Sequence, residues 1–133
     1  MRARVLLVED EPDIRLIARA ALMRAGFDVL TAGDGVEALA LARSHAPDLI
    51  LLDWMLPELD GFETCVRLKA DSGTAPIPVI FFTANTNPGD QARCIPLGAL
   101  GCITKPFNPL SLGDQVKALW RPPGDRTAED ART

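Results

Sequence analysis

At 133 residues, with 47% apolar and 24% charged side chains, the chain has the composition of one soluble globular domain large enough to bury a core. Its net charge of −4 supplies no basic face, so direct binding to nucleic acid is not expected. The apolar run in the opening MRARVLLVEDE is too short for a secretory signal, and no segment reaches the length of a membrane span, which predicts a cytoplasmic protein with no membrane association.

The first predicted strand, β1, is RVLLV at 4–8, and it ends abruptly in Glu9, Asp10 and Glu11. Helix α1 follows: Pro12 suits a first helical position and Asp13 the positive N-terminal end. Ile14, Ile17, Ala18, Ala21, Leu22 and Ala25 recur at helical spacing, and Gly26 stops the helix. Strand β2, DVLTA at 28–32, is short and partly polar, as an edge strand would be. Helix α2 is expected from about Val36 to His45, ending before Pro47. Strand β3, DLILLD at 48–53, is almost continuously apolar and ends in Asp53. Helix α3 is expected over Gly61–Ala70. Strand β4, IPVIFFTA at 77–84, is again apolar throughout its middle and ends in Thr83 and Ala84. Helix α4, near Gly89–Leu97, should be short and easily shifted, because Pro96 costs it a hydrogen bond. Strand β5, GCITK at 101–105, is a second edge candidate and ends in Lys105, before Pro106. Helix α5 is expected near Pro109–Trp120. Residues 121–133 carry no apolar pattern and are expected to be a disordered tail on a single domain of residues 1–120.

Five β-α repeats imply an α/β fold: a doubly wound parallel sheet with right-handed crossovers, helices on both faces and the common order 2-1-3-4-5. Parallel strands bring Glu9, Asp10, Asp53, Thr83, Ala84 and Lys105 to one edge, at the switch point between β1 and β3. Collected carboxylates need a cation. All-oxygen donors favour a hard ion, and Mg²⁺ takes one or two carboxylates while keeping waters and substrate phosphate. A carboxylate can also be a nucleophile, giving an aspartyl phosphate. A lysine would then neutralise a phosphoryl oxygen, and a threonine would donate a hydrogen bond to it.

With Glu9-Asp10, DWMLPELDG at 53–61, the Thr83-Ala84 step and KPF at 105–107 all in order at predicted strand ends, the sequence resembles the receiver domain of bacterial two-component response regulators, a flavodoxin-like fold, over residues 4–120. The resemblance implies that Asp53 is the phosphoacceptor and that Asp10 binds Mg²⁺ directly. It implies that Glu9 helps through a coordinated water and that the Met55 backbone carbonyl is a further ligand. Lys105 would pair with Asp53 at rest and with the phosphoryl group afterwards, across a cis bond to Pro106. Thr83 would follow the phosphoryl group, with Ala84 leaving room for it; Met55 and Asn85 would flank the path of hydrolytic water. The donor would be a sensor histidine kinase or a histidine phosphotransfer protein, and the output an unnamed partner bound through the α4–β5–α5 face of a monomer or weak dimer.

Single residues admit blander readings. Thr83 alone is an ordinary strand residue and Lys105 alone a solvated charge. Glu11 and Asp13 read as first-turn acids, and His45 as a solvent-facing helix end. Trp54, next to Asp53, should be partly buried beside β3. The three cysteines, Cys65, Cys94 and Cys102, fit no zinc or CxxC spacing and read mainly as small buried apolar groups, with a redox role the lesser alternative. Two departures from the family stand out. Cys102 lies three before Lys105, where many receivers carry an aromatic ring that swings inward, so coupling should fall to residues 85–89 and α4. GALGC at 98–102 lacks acids found in DNA-binding members, which puts their dimer in doubt and suggests an apolar contact at Leu100. Three further roles compete with a stand-alone switch: a relay intermediate or phosphate sink, the N-terminal receiver of a larger transcription factor, and an aspartate-nucleophile hydrolase. The last lacks its usual second acid, having Met55 there.

Overall fold

A computed structural model describes residues 3–57, 59–83 and 92–120. Five parallel strands form one sheet in the order β2-β1-β3-β4-β5, with β2 and β5 at its edges as their polar composition predicts. The strands are Arg4–Val8, Asp28–Ala32, Leu49–Asp53, Val79–Thr83 and Ala99–Thr104. Helices α1 (Pro12–Arg24), α2 (Gly35–His45), α3 (Gly61–Ala70) and α5 (Leu112–Leu119) connect or follow them; residues 92–94 are the described part of α4.

Every residue of β3 and β4 is buried, because both faces of the central strands are covered. Strand alternation therefore sorts their side chains into two cores. On one face Val5, Leu7, Leu49, Leu51, Ile80 and Phe82 meet α1 and α5 through Ala18, Ala21, Leu22, Leu112, Val116 and Trp120. On the other, Leu6, Val8, Ile50, Leu52, Val79 and Phe81 meet Ala38 and Ala42 of α2, Cys65 and Leu68 of α3, and Cys94 at the end of α4.

Local chemistry sets the element ends. Pro12 opens α1, and Gly26, at φ 101°, turns the chain after its Ala25 cap. The side chains of Asp34 and Asp60 accept from the backbone N–H groups of Glu37 and Glu63, so both act as N-caps. Helix α4 gives way at Ile95–Leu97 to a 3-10 turn containing Pro96, so it ends before the expected Leu97; its start lies outside the described residues.

Several boundaries differ from the sequence expectation. Strand β4 begins at Val79 rather than residue 77, after turns at 71–77. Helix α5 begins at Leu112 rather than Pro109, because the Asn108 side chain accepts from the Leu110 N–H and its carbonyl from the Ser111 N–H, forming a turn instead. Strand β5 begins two residues early, at Ala99, and carries an irregularity: Val79 pairs with Ala99 but Ile80 with Gly101, so Leu100 is the extra residue. The stripe of α1 also divides. Ala18, Ala21 and Leu22 enter the core, whereas Ile17 is 46% exposed. The tail at 121–133, Ala84 and the segment 85–89 lie outside the described residues.

Candidate functional site

The sheet ladder continues one residue past three strands. The Glu9 N–H donates to Ala32 O, the Trp54 N–H to Phe82 O and the Lys105 N–H to Thr83 O, at 3.0, 2.8 and 2.8 Å. This fixes the backbone on which Glu9, Asp53, Thr83 and Lys105 stand. Gly61 closes the loop after β3: its N–H donates to Trp54 O, and a β-carbon there would lie 2.1 Å from Asp53 O. Only glycine permits that approach, so α3 packs directly under Asp53.

Glu9, Asp10 and Asp53 each offer a carboxylate oxygen within 4.8 Å of the others. Glu9 and Asp53 are buried, with Asp10 more open to solvent. The Lys105 ammonium donates to Asp53 Oδ2 at 2.9 Å and also makes a short contact with Glu9 Oε1. Asp53 Oδ1 accepts from the Met55 N–H at 3.1 Å. Sequence reasoning predicted the Lys105–Asp53 pair. It missed the direct Lys105–Glu9 pair, which needs the reach of a glutamate and the adjacency of β1 and β3. The Lys105–Pro106 bond is cis, as expected. Thr83 is buried at the end of β4, beside Thr104 in register.

One ammonium does not balance three carboxylates, and the imbalance shows in the titration of the site. Burial pushes the Glu9 carboxyl up to about 7; its hydrogen bond to Asp53 acts in the same direction, against the pull of Lys105. Burial alone would lower the Lys105 ammonium, but its hydrogen bonds to Glu9 and Asp53 and their charges outweigh it, and the group is raised. The donor set is all oxygen, crowded and negative, so it fits a hard divalent cation such as Mg²⁺.

Around the rim, Trp54 is half-buried, edge-on to Phe81 and Phe62, and the Arg93 guanidinium lies 6.0 Å from its ring centre. Beside Lys105, an apolar groove of about 420 Å³ is lined by Ile14, Ile17, Pro106, Phe107 and Pro109. The Met55 side chain is exposed, and His45 is exposed at the end of α2. Cys102 and Leu100 lie away from the carboxylates on β5; Leu100 is 40% exposed, turned outward where the register slips. Among the described residues no helix is long and apolar enough to cross a membrane.

Comparison with known proteins agrees with this geometry. Residues 5–117 match the response regulator receiver domain. Over 121 residues the chain is 41% identical to the alkaline phosphatase synthesis transcriptional regulatory protein PhoP of Bacillus subtilis, covering 91% of this chain and 50% of that protein. It is 40% identical over 129 residues to the DNA-binding response regulator MtrA of Mycolicibacterium smegmatis, covering 97% and 55%. The chain thus spans about half the length of the curated relatives it matches. Among solved structures, chemotaxis response regulator CheY4 of Vibrio cholerae superposes with a TM-score of 0.84 at 34% identity, covering 90% of this chain and 99% of that one. The receiver domain of Francisella response regulator 1452 gives 0.81 at 30%, covering 89% and 96%. The acidic edge and the 2-1-3-4-5 sheet that carries it are those of a response regulator receiver domain, and the chain belongs to that family.

Proposed function

We propose that the chain is a phosphorylatable switch whose acceptor is Asp53. The carrying observation is the Lys105 ammonium 2.9 Å from a buried Asp53 carboxylate that shares its edge with Glu9 and Asp10. An Asp53 oxygen attacks the phosphorus of a phosphohistidine on a sensor kinase or phosphotransfer protein. The P–N bond breaks as the P–O bond forms, and the histidine nitrogen keeps the electron pair. Lys105 turns from the carboxylate to a phosphoryl oxygen, and Thr83, at the end of the neighbouring strand, donates its hydroxyl to another. Asp10 and Asp53, with the Met55 carbonyl, would hold Mg²⁺, and Glu9 would help through a coordinated water. When bound, the ion offsets charge on the phosphoryl oxygens. Ile14 and Ile17, bordering the site, offer apolar contact to the donor protein. Hydrolysis of the aspartyl phosphate resets the switch, so the chain acts as a switch in a cytoplasmic pathway rather than as a turnover enzyme.

The coverage of relatives favours one second reading. PhoP and MtrA are named as regulators of transcription or DNA binding, and the chain matches only half of each. In this reading the receiver controls a DNA-binding partner segment, and any contact with DNA belongs to that segment rather than to this acidic domain. A relay role, passing phosphate back to a histidine phosphotransfer protein, uses the same site.

The test is incubation with Mg²⁺ and acetyl phosphate, followed by intact mass and Trp54 fluorescence. The expected result is a gain of one phosphate that Asp53→Asn abolishes, with a fluorescence change that follows it. No mass gain in the wild-type chain overturns the proposal.

A further inference from the structure

The two thiols that the phosphorylation chemistry does not use face each other. Cys102 Sγ donates to Cys94 Sγ at 3.1 Å, eight residues apart in sequence but on different elements. Cys94 is buried at the end of α4, immediately before the 3-10 turn Ile95–Leu97; Cys102 is half-buried on the edge strand β5. No disulfide joins them or Cys65. A disulfide bond is roughly 2.05 Å long, so the sulfurs need to close by only about 1 Å.

We propose that Cys94 and Cys102 form a redox modification site, closed to an intramolecular disulfide by a hydroperoxide. Cys102, the more accessible thiol, attacks as its thiolate. A new S–O bond forms, the peroxide O–O bond breaks, and the leaving hydroxide takes up a proton as water. The Cys94 sulfur then attacks the Cys102 sulfenic acid: the S–S bond forms, the S–O bond breaks, and the second water leaves with the Cys94 proton. In sum, two thiols lose two electrons and two protons, and hydrogen peroxide is reduced to two waters. Cys65 stays outside this chemistry. Burial raises its thiol, leaving it a poorer nucleophile, and its sulfur faces the Leu97 carbonyl at 3.8 Å.

The bond would tie the end of α4 to β5, the strand that delivers Lys105 three residues later. Oxidation therefore acts on the part of the fold between the acidic edge and the α4–β5–α5 face. It requires no phosphoryl chemistry, so it stands or falls separately from the role of Asp53.

The test is brief exposure of the full chain to hydrogen peroxide, then alkylation of remaining thiols and peptide mass mapping without reductant. The expected product is a Cys94–Cys102 cross-link with loss of two hydrogens, reversed by dithiothreitol. It should form equally in Asp53→Asn and Cys65→Ser and be absent in Cys102→Ser. Persistence of both free thiols, oxidation of Cys102 to a sulfinic acid in place of a cross-link, or a link through Cys65 overturns the proposal. The wild-type map alone decides this should a variant fold poorly.

Discussion

The C-terminal edge of the sheet and the outer part of β5 lie on the same strand, yet they are built by different rules. At the edge, Lys105 is fixed by the ladder, half-buried against two buried carboxylates and surrounded by charge that must be balanced. A few residues up the strand, Leu100 is turned outward by a register shift, Gly101 lies under Leu119, and the Cys102 sulfur faces the Cys94 thiol. This domain is rigidly specified where charge is buried and tolerates little change there, whereas an edge strand carrying small apolar groups can vary.

Lys105→Ala is the largest test of that contrast. Removing one partner of a buried ion pair typically costs roughly 3–5 kcal/mol, because the remaining charge is left without compensation. Here two carboxylates, 1% and 5% exposed at their side chains, lose their cation. Urea unfolding near neutral pH should show a loss of that order, partly recovered by millimolar Mg²⁺. Cys102→Ala, measured alongside, should cost no more than about 1 kcal/mol, the usual scale for trimming one small half-buried group. Equal losses for the two would mean that the edge strand is held as firmly as the charged site.

The same contrast explains what was legible in the sequence. Asp53 and Lys105 could be brought together on paper because apolar runs ending in polar residues define parallel strands, and parallel strands share an edge. The bounds of β1, β2 and α3 follow from equally local signals. The Glu9–Lys105 pair was not legible, since it depends on where a long side chain points once β1 and β3 are adjacent. Nor were the thiol contact and the extra residue at Leu100. Spacing along the chain does not encode which sulfur meets which across two elements, and a bulge is set by how β5 fits β4. Ile17 shares the helical spacing of the core residues yet is exposed, because periodicity identifies a face of the helix, not how far the sheet extends beneath it.

Glu9→Gln sharpens the electrostatic side. Ionised Glu9 is the disfavoured form in the folded, metal-free protein, with its carboxyl raised from 4.5 to about 7. Between those values the folded state keeps a proton that the unfolded chain has lost, so stability declines as pH rises through the window, and the cost is fully present above about 7. The raised Lys105 contributes in the opposite sense: its stabilisation is present below its unfolded value and is lost only in the alkaline range, as pH rises through the folded value. Glutamine cannot titrate. With chelator present, Glu9→Gln should match wild type near about pH 5 and exceed it by on the order of 1–3 kcal/mol near about pH 8. A constant difference at the two pH values would show that Glu9 does not titrate in this window. Mg²⁺ should favour the wild type again, and Asp10→Asn should weaken Mg²⁺ binding more than Glu9→Gln does.

Gly101→Ala tests the tolerant side, with the smallest expected effect. A β-carbon at residue 101 would meet Leu119 Cδ2 at 3.0 Å and Cδ1 at 3.3 Å, closer than ordinary van der Waals contact. Those atoms are the free end of a leucine that is 36% exposed on α5, so the side chain can rotate towards solvent rather than push the helix away. Against that small repacking stands the reduced freedom of the unfolded chain, a gain of about 0.4–1 kcal/mol where the new residue fits the native backbone. The two effects nearly cancel, and the midpoint of urea unfolding should move by no more than about 0.5 kcal/mol in equivalent stability. A much larger loss would mean that Leu119 is held in place and that α5 is seated on β5 as firmly as Lys105 is seated between Glu9 and Asp53.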